Sequence, residues 1–182
     1  MAGHGPSRVL LVLGPSGVGK STLGDWLAED LDLVRLELDP WPEPVWRSDV
    51  ASAREALLSR GDAGPLVALL TRLAGEAGRA GGVATLCGGA VLPLRRLLRL
   101  RRLGAQAVVL YASERECLSS FLAREAVNGR GLDEAYWRRH RDPSFAAHGS
   151  MRYLPWRLLA FDRGARRSRA DLVAVVARRL RR

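Results

Sequence analysis

A glycine-rich stretch near the start of the chain constrains its fold more than any other feature. Residues 14–21 read Gly-Pro-Ser-Gly-Val-Gly-Lys-Ser, which matches the pattern G-x-x-x-x-G-K-[S/T] at each fixed position. They follow the apolar run Val9–Leu13 and precede a helical pattern, so strand, loop and helix occur in the order that this motif requires. Such a loop directs successive backbone N–H groups to the positive end of a helix dipole, where a polyphosphate binds.

Two side chains of the loop suit a nucleoside triphosphate with its metal ion. Lys20 is placed to reach the β- and γ-phosphates, and the hydroxyl of Ser21 is placed to ligate Mg²⁺. We therefore expect ATP and Mg²⁺ as cofactors. The predicted nucleotide-binding residues of this segment are Gly14, Pro15, Ser16, Gly17, Val18, Gly19, Lys20, Ser21 and Thr22.

Length and composition limit the classes of protein to which the chain can belong. It has 182 residues, 47% of them hydrophobic, which is enough for one domain with a core and short for two. Two cysteines make no disulfide framework, and no Cys/His cluster has metal-ligand spacing. No apolar run approaches the roughly 18 to 20 residues of a membrane span. We expect a single soluble, cytoplasmic domain over residues 1–182, as a monomer or homodimer and without membrane association.

The net charge of +10 comes almost entirely from arginine, because Lys20 is the only lysine. A basic balance often signals a polyanionic partner. Here the arginines are spread over several helices and the C-terminus, with little aromatic interleaving, so nucleic acid is not the expected partner. The basic amphipathic stretch Leu94–Leu103 could suit a membrane surface, but its place between two predicted strands favours an ordinary crossover helix.

Short apolar runs alternate with helical patterns along the chain, which favours a parallel sheet covered by helices. We predict an α/β P-loop NTPase fold with five strands, at residues 9–13, 33–38, 83–87, 107–111 and 158–161. Helices are predicted at residues 20–31, 94–103, 114–128, 132–141 and 169–180, and the stretch 41–82 is predicted mostly helical, with breaks at 61–65 and 81–82.

Four further segments resemble the shikimate kinase family, within the group of small P-loop kinases that includes gluconate and nucleoside monophosphate kinases. Residues 84–91 look like that family's strand ending in a triple-glycine turn, and Arg124 and Arg130 look like its lid arginines. Residues 141–145 are similar to its R-x-P-x-Y segment, and residues 162–170 resemble the loop that borders the adenine.

The resemblance implies an architecture and an activity. The sheet order would be 2-3-1-4-5, with a helical acceptor-binding region at residues 40–82 and a lid region at 124–150. The reaction would be transfer of the γ-phosphate of ATP to a hydroxyl group. That reaction needs an aligned nucleophile, neutralised phosphate charge and exclusion of water.

Asp39 is the first candidate for handling the acceptor. It follows the second strand beside the phosphate loop, where an open α/β sheet places its ligands, and the resemblance implies an acidic residue there. It could accept the acceptor's proton, hold a metal-bound water or position the acceptor. Glu37, two residues earlier, projects to the same side of the strand and is the reserve candidate.

Four arginines are candidates for binding anionic groups. Arg130 is our choice for the charge on the transferring group, because a planar guanidinium matches phosphate oxygens, and Arg124 is second. Arg166 lies in the segment that resembles the adenine-bordering loop. Arg141 corresponds in the resemblance to an acceptor-binding arginine. Each lid arginine could instead belong to a solvated helix face.

The acceptor side departs from the family's pattern. The family's F-R-x-x-E segment, whose arginine binds the substrate carboxylate, is missing, so shikimate is not the expected acceptor. The turn at Gly88 and Gly89 would let an acceptor approach the backbone closely. Trp41 and Trp46 could form an apolar or sugar-stacking wall, or could pack in the core.

We therefore interpret the chain as an ATP-dependent phosphotransferase whose partner is a small hydroxyl-bearing metabolite. A kinase for a nucleotide or a polynucleotide end is the first alternative. A nucleotide-dependent regulatory or partner-binding protein without transferase activity is the second.

Overall fold

The computed structural model describes residues 8–38, 48–86, 92, 94–139, 159–162 and 168–180. The strands are β1 (Arg8–Leu13), β2 (Leu33–Glu37), β3 (Gly81–Thr85), β4 (Ala105–Tyr111) and β5 (Leu159–Asp162). The helices are α1 (Lys20–Asp30), α2 (Ser48–Glu55), α3 (Gly64–Glu76), α4 (Leu94–Arg102), α5 (Glu114–Asn128), α6 (134–139) and α7 (Arg169–Leu180). A π-helical turn, Ala56–Arg60, continues α2.

The five strands form one parallel sheet in the order β2-β3-β1-β4-β5, which confirms the predicted fold class and strand order. In the centre of the sheet, Val9 of β1 pairs in register with Gly82 of β3 and with Ala105 of β4. The connections from β1 and β3 lead to opposite sides of the sheet, so a crevice forms beyond their carboxyl ends. Open α/β sheets bind their ligands in such a crevice.

Successive residues of β1 point into two hydrophobic clusters, one on each face of the sheet. Val9, Leu11 and Leu13 pack into the cluster that α2, α3 and α4 cover. Leu10 and Val12 pack into the cluster that α1, α5, α6 and α7 cover. A strand buried on both faces has an uninterrupted apolar sequence, which is why the run was recognisable.

Strand β3 begins two residues earlier than predicted, because Gly81 and Gly82 belong to it and do not form a break. Glycine is needed at this crowded place in the sheet. A Cβ on Gly81 would lie 2.0 Å from the carbonyl oxygen of Arg8 on the adjacent strand β1. The predicted break at these glycines is therefore wrong, since they mark a close approach of two backbones.

The other predicted break, at residues 61–65, is shorter than expected. Within this segment, residues 61–63 lie outside helices and α3 begins at Gly64. Pro65 falls in the first turn of α3, where a backbone N–H would have no acceptor within the helix, so its absence in proline costs nothing. The preceding π-helical turn leaves carbonyl groups that Arg96 of α4 satisfies, because its Nη1 donates to the carbonyl oxygen of Leu58 at 3.0 Å.

Helix α4 is a crossover helix between β3 and β4, as predicted. Leu100 is buried in the core, and the four arginines exposed on the other side are Arg95, Arg99, Arg101 and Arg102. In the part of the chain that the structure describes, no helix combines the length and the apolar character needed to cross a membrane.

Gly81→Ala should destabilise the protein, because the added methyl group meets backbone that cannot move without breaking the β1–β3 pairing. We expect a loss of about 1–3 kcal/mol in the free energy of unfolding, measured by urea denaturation. Gly75→Ala is the matched control: Gly75 is exposed in α3 with no atom within 4 Å of its Cβ position, so alanine should be neutral or stabilise by up to about 1 kcal/mol. Equal urea midpoints for the two variants would contradict this account of the glycine.

Candidate functional site

The glycine-rich loop joins the central strand β1 to the N-terminus of α1. Gly19 caps this helix without a side-chain hydrogen bond, and the first turn of α1 contains no acidic residue. The N-cap residue thus supplies no side-chain acceptor for the first N–H groups, and no acidic residue of the first turn itself offsets the positive end of the dipole. This arrangement is suited to binding an anion.

The loop is held against α5 on one side and the core on the other. Gly17 has a φ of +86°, and a Cβ there would lie 1.9 Å from the carbonyl oxygen of Cys117 in the first turns of α5. The side chain of Val18 is buried in the hydrophobic cluster under α1. Contacts on both sides give the loop its shape before any ligand binds, and a side chain at position 17 would push it off α5.

A cavity of about 320 Å³ opens over this loop, within the size range of small-ligand sites. The predicted nucleotide-binding residues that line it are Ser16, Gly17, Gly19, Lys20, Ser21 and Thr22. Glu37 at the end of β2, Leu86 after β3, and Ser120 and Arg124 of α5 complete the lining. Gly14, Pro15 and Val18 belong to the loop but are buried behind this surface.

Lys20 lies on the cavity wall with its side chain folded over the loop. Its Nζ donates a hydrogen bond of 2.9 Å to the carbonyl oxygen of Pro15. A phosphate oxygen in the cavity would offer this ammonium a charged acceptor, which forms a stronger hydrogen bond than a carbonyl group.

Glu37 and Ser21 are joined across the cavity by a hydrogen bond. The hydroxyl of Ser21 donates to Oε2 of Glu37 at 3.0 Å, and Nη2 of Arg35 donates to the same oxygen at 2.8 Å. Arg35 is itself held by Asp25, which accepts from its Nε at 3.0 Å. Glu37, the second candidate for handling the acceptor, is therefore a carboxylate that contacts Ser21, the predicted Mg²⁺ ligand.

The pKa of Glu37 is lowered from its ordinary value. Partial burial raises this pKa, but Thr85, its register partner on β3, lowers it, as do Arg35 and Ser21, and these lowering effects together outweigh burial. A carboxylate with a lowered pKa stays ionised and is a weak proton acceptor. Glu37 is thus better suited to binding a cation than to general-base catalysis.

The oxygens of Ser21 and Glu37 fit a magnesium ion that is shared with a bound phosphate. The described residues contain no group of three or more His, Cys, Asp and Glu side chains close enough to hold a metal ion by themselves. Mg²⁺ commonly takes one or two protein oxygens and completes its shell with waters and substrate phosphates, so the donor set is appropriate for it.

The two candidate lid arginines occupy different positions. Arg124 lines the cavity, is 47% exposed and lies over the ring of Phe121 at 5.5 Å from its centroid. Arg130 is 18% exposed, is not among the lining residues and donates from Nη2 to Oε1 of Glu125 at 2.5 Å. Of the two, Arg124 is the one that lines the cavity over the glycine-rich loop, and the roles assigned to both stay predictions.

The described part of the predicted lid region is packed on the core. Tyr136 of α6 stacks on Phe121 of α5 with ring centroids 6.4 Å apart, and Trp137 is fully buried. Helix α6 begins at residue 134, two residues later than the predicted 132, and the last two residues of the predicted helix, 140–141, lie outside the described residues.

Several predicted site residues lie outside the described residues, and their roles stay predictions. They are Asp39, Trp41, Trp46, Gly88, Gly89, Arg141 and Arg166.

Sequence reasoning missed Ser120 and Glu125, although α5 carries a signal for each. Ser120 precedes Arg124 by four residues, and residues at that spacing share one helix face. Glu125 continues the buried stripe of Cys117 and Phe121 at the same spacing, so an acidic residue falls on the inward side of the helix. The signal was the position of each residue on the helix, because serine and glutamate by residue type are usually exposed to solvent.

No protein-family model and no curated protein matches the chain. Solved structures do match it. A "putative kinase" from Chloroflexus aurantiacus J-10-fl is 18% identical over 96% of both chains, with a TM-score of 0.54. A shikimate kinase from Bacteroides thetaiotaomicron is 20% identical over 85% of this chain and 83% of its own, with a TM-score of 0.44. A gluconokinase from Sinorhizobium meliloti 1021 is 20% identical over 93% of this chain and 88% of its own, also with a TM-score of 0.44.

At these identities the likeness concerns the fold. The C. aurantiacus structure matches along nearly the whole chain, and so confirms, at the level of fold, the resemblance to small kinases that the sequence motifs predicted.

Glu37 should titrate below its ordinary pKa of 4.5, which carboxyl-detected NMR of the folded protein can measure directly. Because the folded-state pKa is the lower one, the ionised carboxylate stabilises the fold fully above the unfolded-state pKa and loses this effect as the pH falls through the folded-state pKa. The stability difference between the wild type and Glu37→Gln should therefore be constant near neutral pH and change in favour of the variant as the pH falls below about 4.5. A Glu37 pKa above 4.5 would contradict the hydrogen-bonded geometry.

Proposed function

We propose that the protein is an ATP-dependent phosphotransferase that moves the γ-phosphate of ATP to a hydroxyl group of a small metabolite. The observation that carries the proposal is the cavity in which the glycine loop, Lys20, Ser21, Glu37 and Arg124 meet. Phosphoryl transfer requires mainly positioning and neutralisation of charge, and these residue types serve both needs. The fold shared with the C. aurantiacus protein agrees with this activity.

In this proposal the loop and α1 bind the triphosphate. The backbone N–H groups at the uncapped start of α1 would donate to phosphate oxygens, and Lys20 would exchange the Pro15 carbonyl for a phosphate. Ser21 and Glu37 would hold Mg²⁺, which neutralises phosphate charge when it is bound. Arg124 would contact the phosphates from the α5 side of the cavity.

The two acidic residues of the second strand region would then have different tasks. The lowered pKa of Glu37 makes it a poor proton acceptor, and its oxygen already accepts from Ser21 and Arg35. Asp39 follows two residues later in the sequence; on an extended chain it would project to the same side as Glu37, and it would position or deprotonate the acceptor hydroxyl. This division leaves the serine and the metal with Glu37 and the acceptor with Asp39.

A kinase for a nucleotide or a polynucleotide end is the second candidate. The observation that favours it is the exposed arginine surface of α4, formed by Arg95, Arg99, Arg101 and Arg102, which would attract an anionic acceptor. Binding through such a surface would weaken steeply with salt, so the salt dependence of oligonucleotide binding separates the two candidates.

Lys20→Met should weaken binding of Mg²⁺ and a non-hydrolysable ATP analogue about 10- to 100-fold, because one charge-assisted hydrogen bond to phosphate is lost. Isothermal titration calorimetry measures this change. Arg79→Met is the matched control, since Arg79 is an exposed cation paired with Asp32 and is not among the cavity-lining residues. Unchanged affinity in the Lys20 variant would argue against nucleotide binding at this loop.

Asp39→Asn should abolish most phosphoryl transfer while ATP affinity changes little, because the substitution removes a proton acceptor and keeps the shape of the side chain. The acceptor is found first by incubating the wild type with γ-labelled ATP and a panel of sugars, other hydroxyl metabolites, nucleosides, nucleotides and oligonucleotides. With that acceptor we expect a rate about 10²- to 10⁴-fold lower in the variant. Comparable rates would reject the role of Asp39, and absence of any acceptor would favour the regulatory alternative.

A further inference from the structure

Among the acidic and basic side chains of the described part of the chain, Glu125 is the one that is buried. It is 2% exposed, whereas the other acidic and basic side chains that the structure describes are partly or fully exposed. It lies on the inward stripe of α5, one turn after Phe121. A carboxylate in this environment destabilises the fold unless it is paired, so its retention calls for a physical reason.

Two arginines share one oxygen of this carboxylate. Oε1 accepts from Nη2 of Arg130 at 2.5 Å and lies 3.1 Å from Nε and 3.0 Å from Nη2 of Arg124. The other oxygen, Oε2, is shielded from solvent and has no hydrogen-bond partner among the described residues. Both guanidinium groups therefore contact the same carboxylate oxygen, Oε1.

The position of these arginines connects the buried carboxylate to the cavity over the glycine-rich loop. We call it the phosphate cavity, because the proposed function places the triphosphate of ATP there. Arg124 is half exposed and lines that cavity, while Arg130 lies behind it and is largely buried. Arginine has several rotatable bonds, and fixing such a side chain on ligand binding weakens affinity by about 2- to 10-fold. A buried ion pair orders the side chain beforehand, whereas an exposed pair such as Glu134 and Arg138 is screened and weak.

We infer that Glu125 is a positioning residue that keeps the Arg124 guanidinium ordered at the phosphate cavity, with Arg130 as the second support of the same carboxylate. The inference rests on the proposed function in one respect, that the cavity binds the triphosphate of ATP. Glu125 contacts no phosphate in this arrangement and acts only through Arg124.

A competing role for Glu125 predicts the opposite effect on affinity. If the carboxylate were only a counter-charge, its removal would leave an additional uncompensated positive charge near the cavity, and anionic ligands would bind more tightly. If it positions Arg124, its removal lets the guanidinium become disordered, and binding weakens.

The test is a double-mutant cycle on the binding of a non-hydrolysable ATP analogue with Mg²⁺ to the full chain. Glu125→Gln should weaken binding about 3- to 10-fold in the wild-type background. In an Arg124→Ala background the same substitution should have little further effect, because the residue through which it acts is gone. Tighter binding, or an equal loss in both backgrounds, would overturn the inference.

Two further variants keep the result interpretable. Glu134→Gln removes an exposed carboxylate that pairs with Arg138 in α6 and should leave affinity unchanged. Glu125→Asp keeps the charge but shortens the side chain, so affinity should still fall if position matters, and an unchanged affinity would overturn the inference even if the glutamine variant failed to fold. A wild-type protein that does not bind the analogue would instead contradict the proposed function.

Discussion

The N-terminus of α1, which has no acidic residue in its first turn and no side-chain cap, is the constraint on which the site depends. Strand β1 brings it to the centre of the sheet, and the loop between them packs on α5 through Gly17. The N–H groups in the first turn of a helix have no acceptor within the helix itself, and the adjoining cavity lets water or an anion reach this end of α1. The buried side of the loop and its open side are thus parts of one arrangement.

Two carboxylates near the N-terminus of α1 order the side chains that face the cavity. On the β2 side, Glu37 accepts from Ser21 and from Arg35. On the α5 side, Glu125 pairs with Arg124 and Arg130. In both cases a negative charge next to the cavity is balanced by arginine, so the carboxylate orders its neighbours without leaving an uncompensated charge.

Patterns with a short sequence range predicted most of the fold. The strand β1 and the helix α5 agree with the structure, because each rests on local periodicity or on the phosphate-loop motif. The strand order also agrees, but it was implied by the family resemblance and not by local patterns. The predicted start of β3 was wrong, because we interpreted Gly81 and Gly82 as a turn. Here the close approach of the Arg8 backbone on β1 leaves no room for a side chain at Gly81. Glu37 was ranked below Asp39 because Asp39 follows the second strand, where the family resemblance implies an acidic residue. The contact of Glu37 with Ser21 joins residues 16 positions apart, and strand alternation alone does not predict it.

The sequence by itself determined that a strand, a glycine-rich loop and a helix follow one another, since each of these depends on residues close together in the chain. Tertiary structure decided which distant side chains join that loop. Ser21 meets Glu37 across 16 residues through the pairing of β2 beside β3, and Arg124 reaches the cavity only because α5 packs on the loop. Glu125 is buried for the same reason: the burial of a helical residue depends on the partner that covers its face, and a helix sequence alone does not specify that partner.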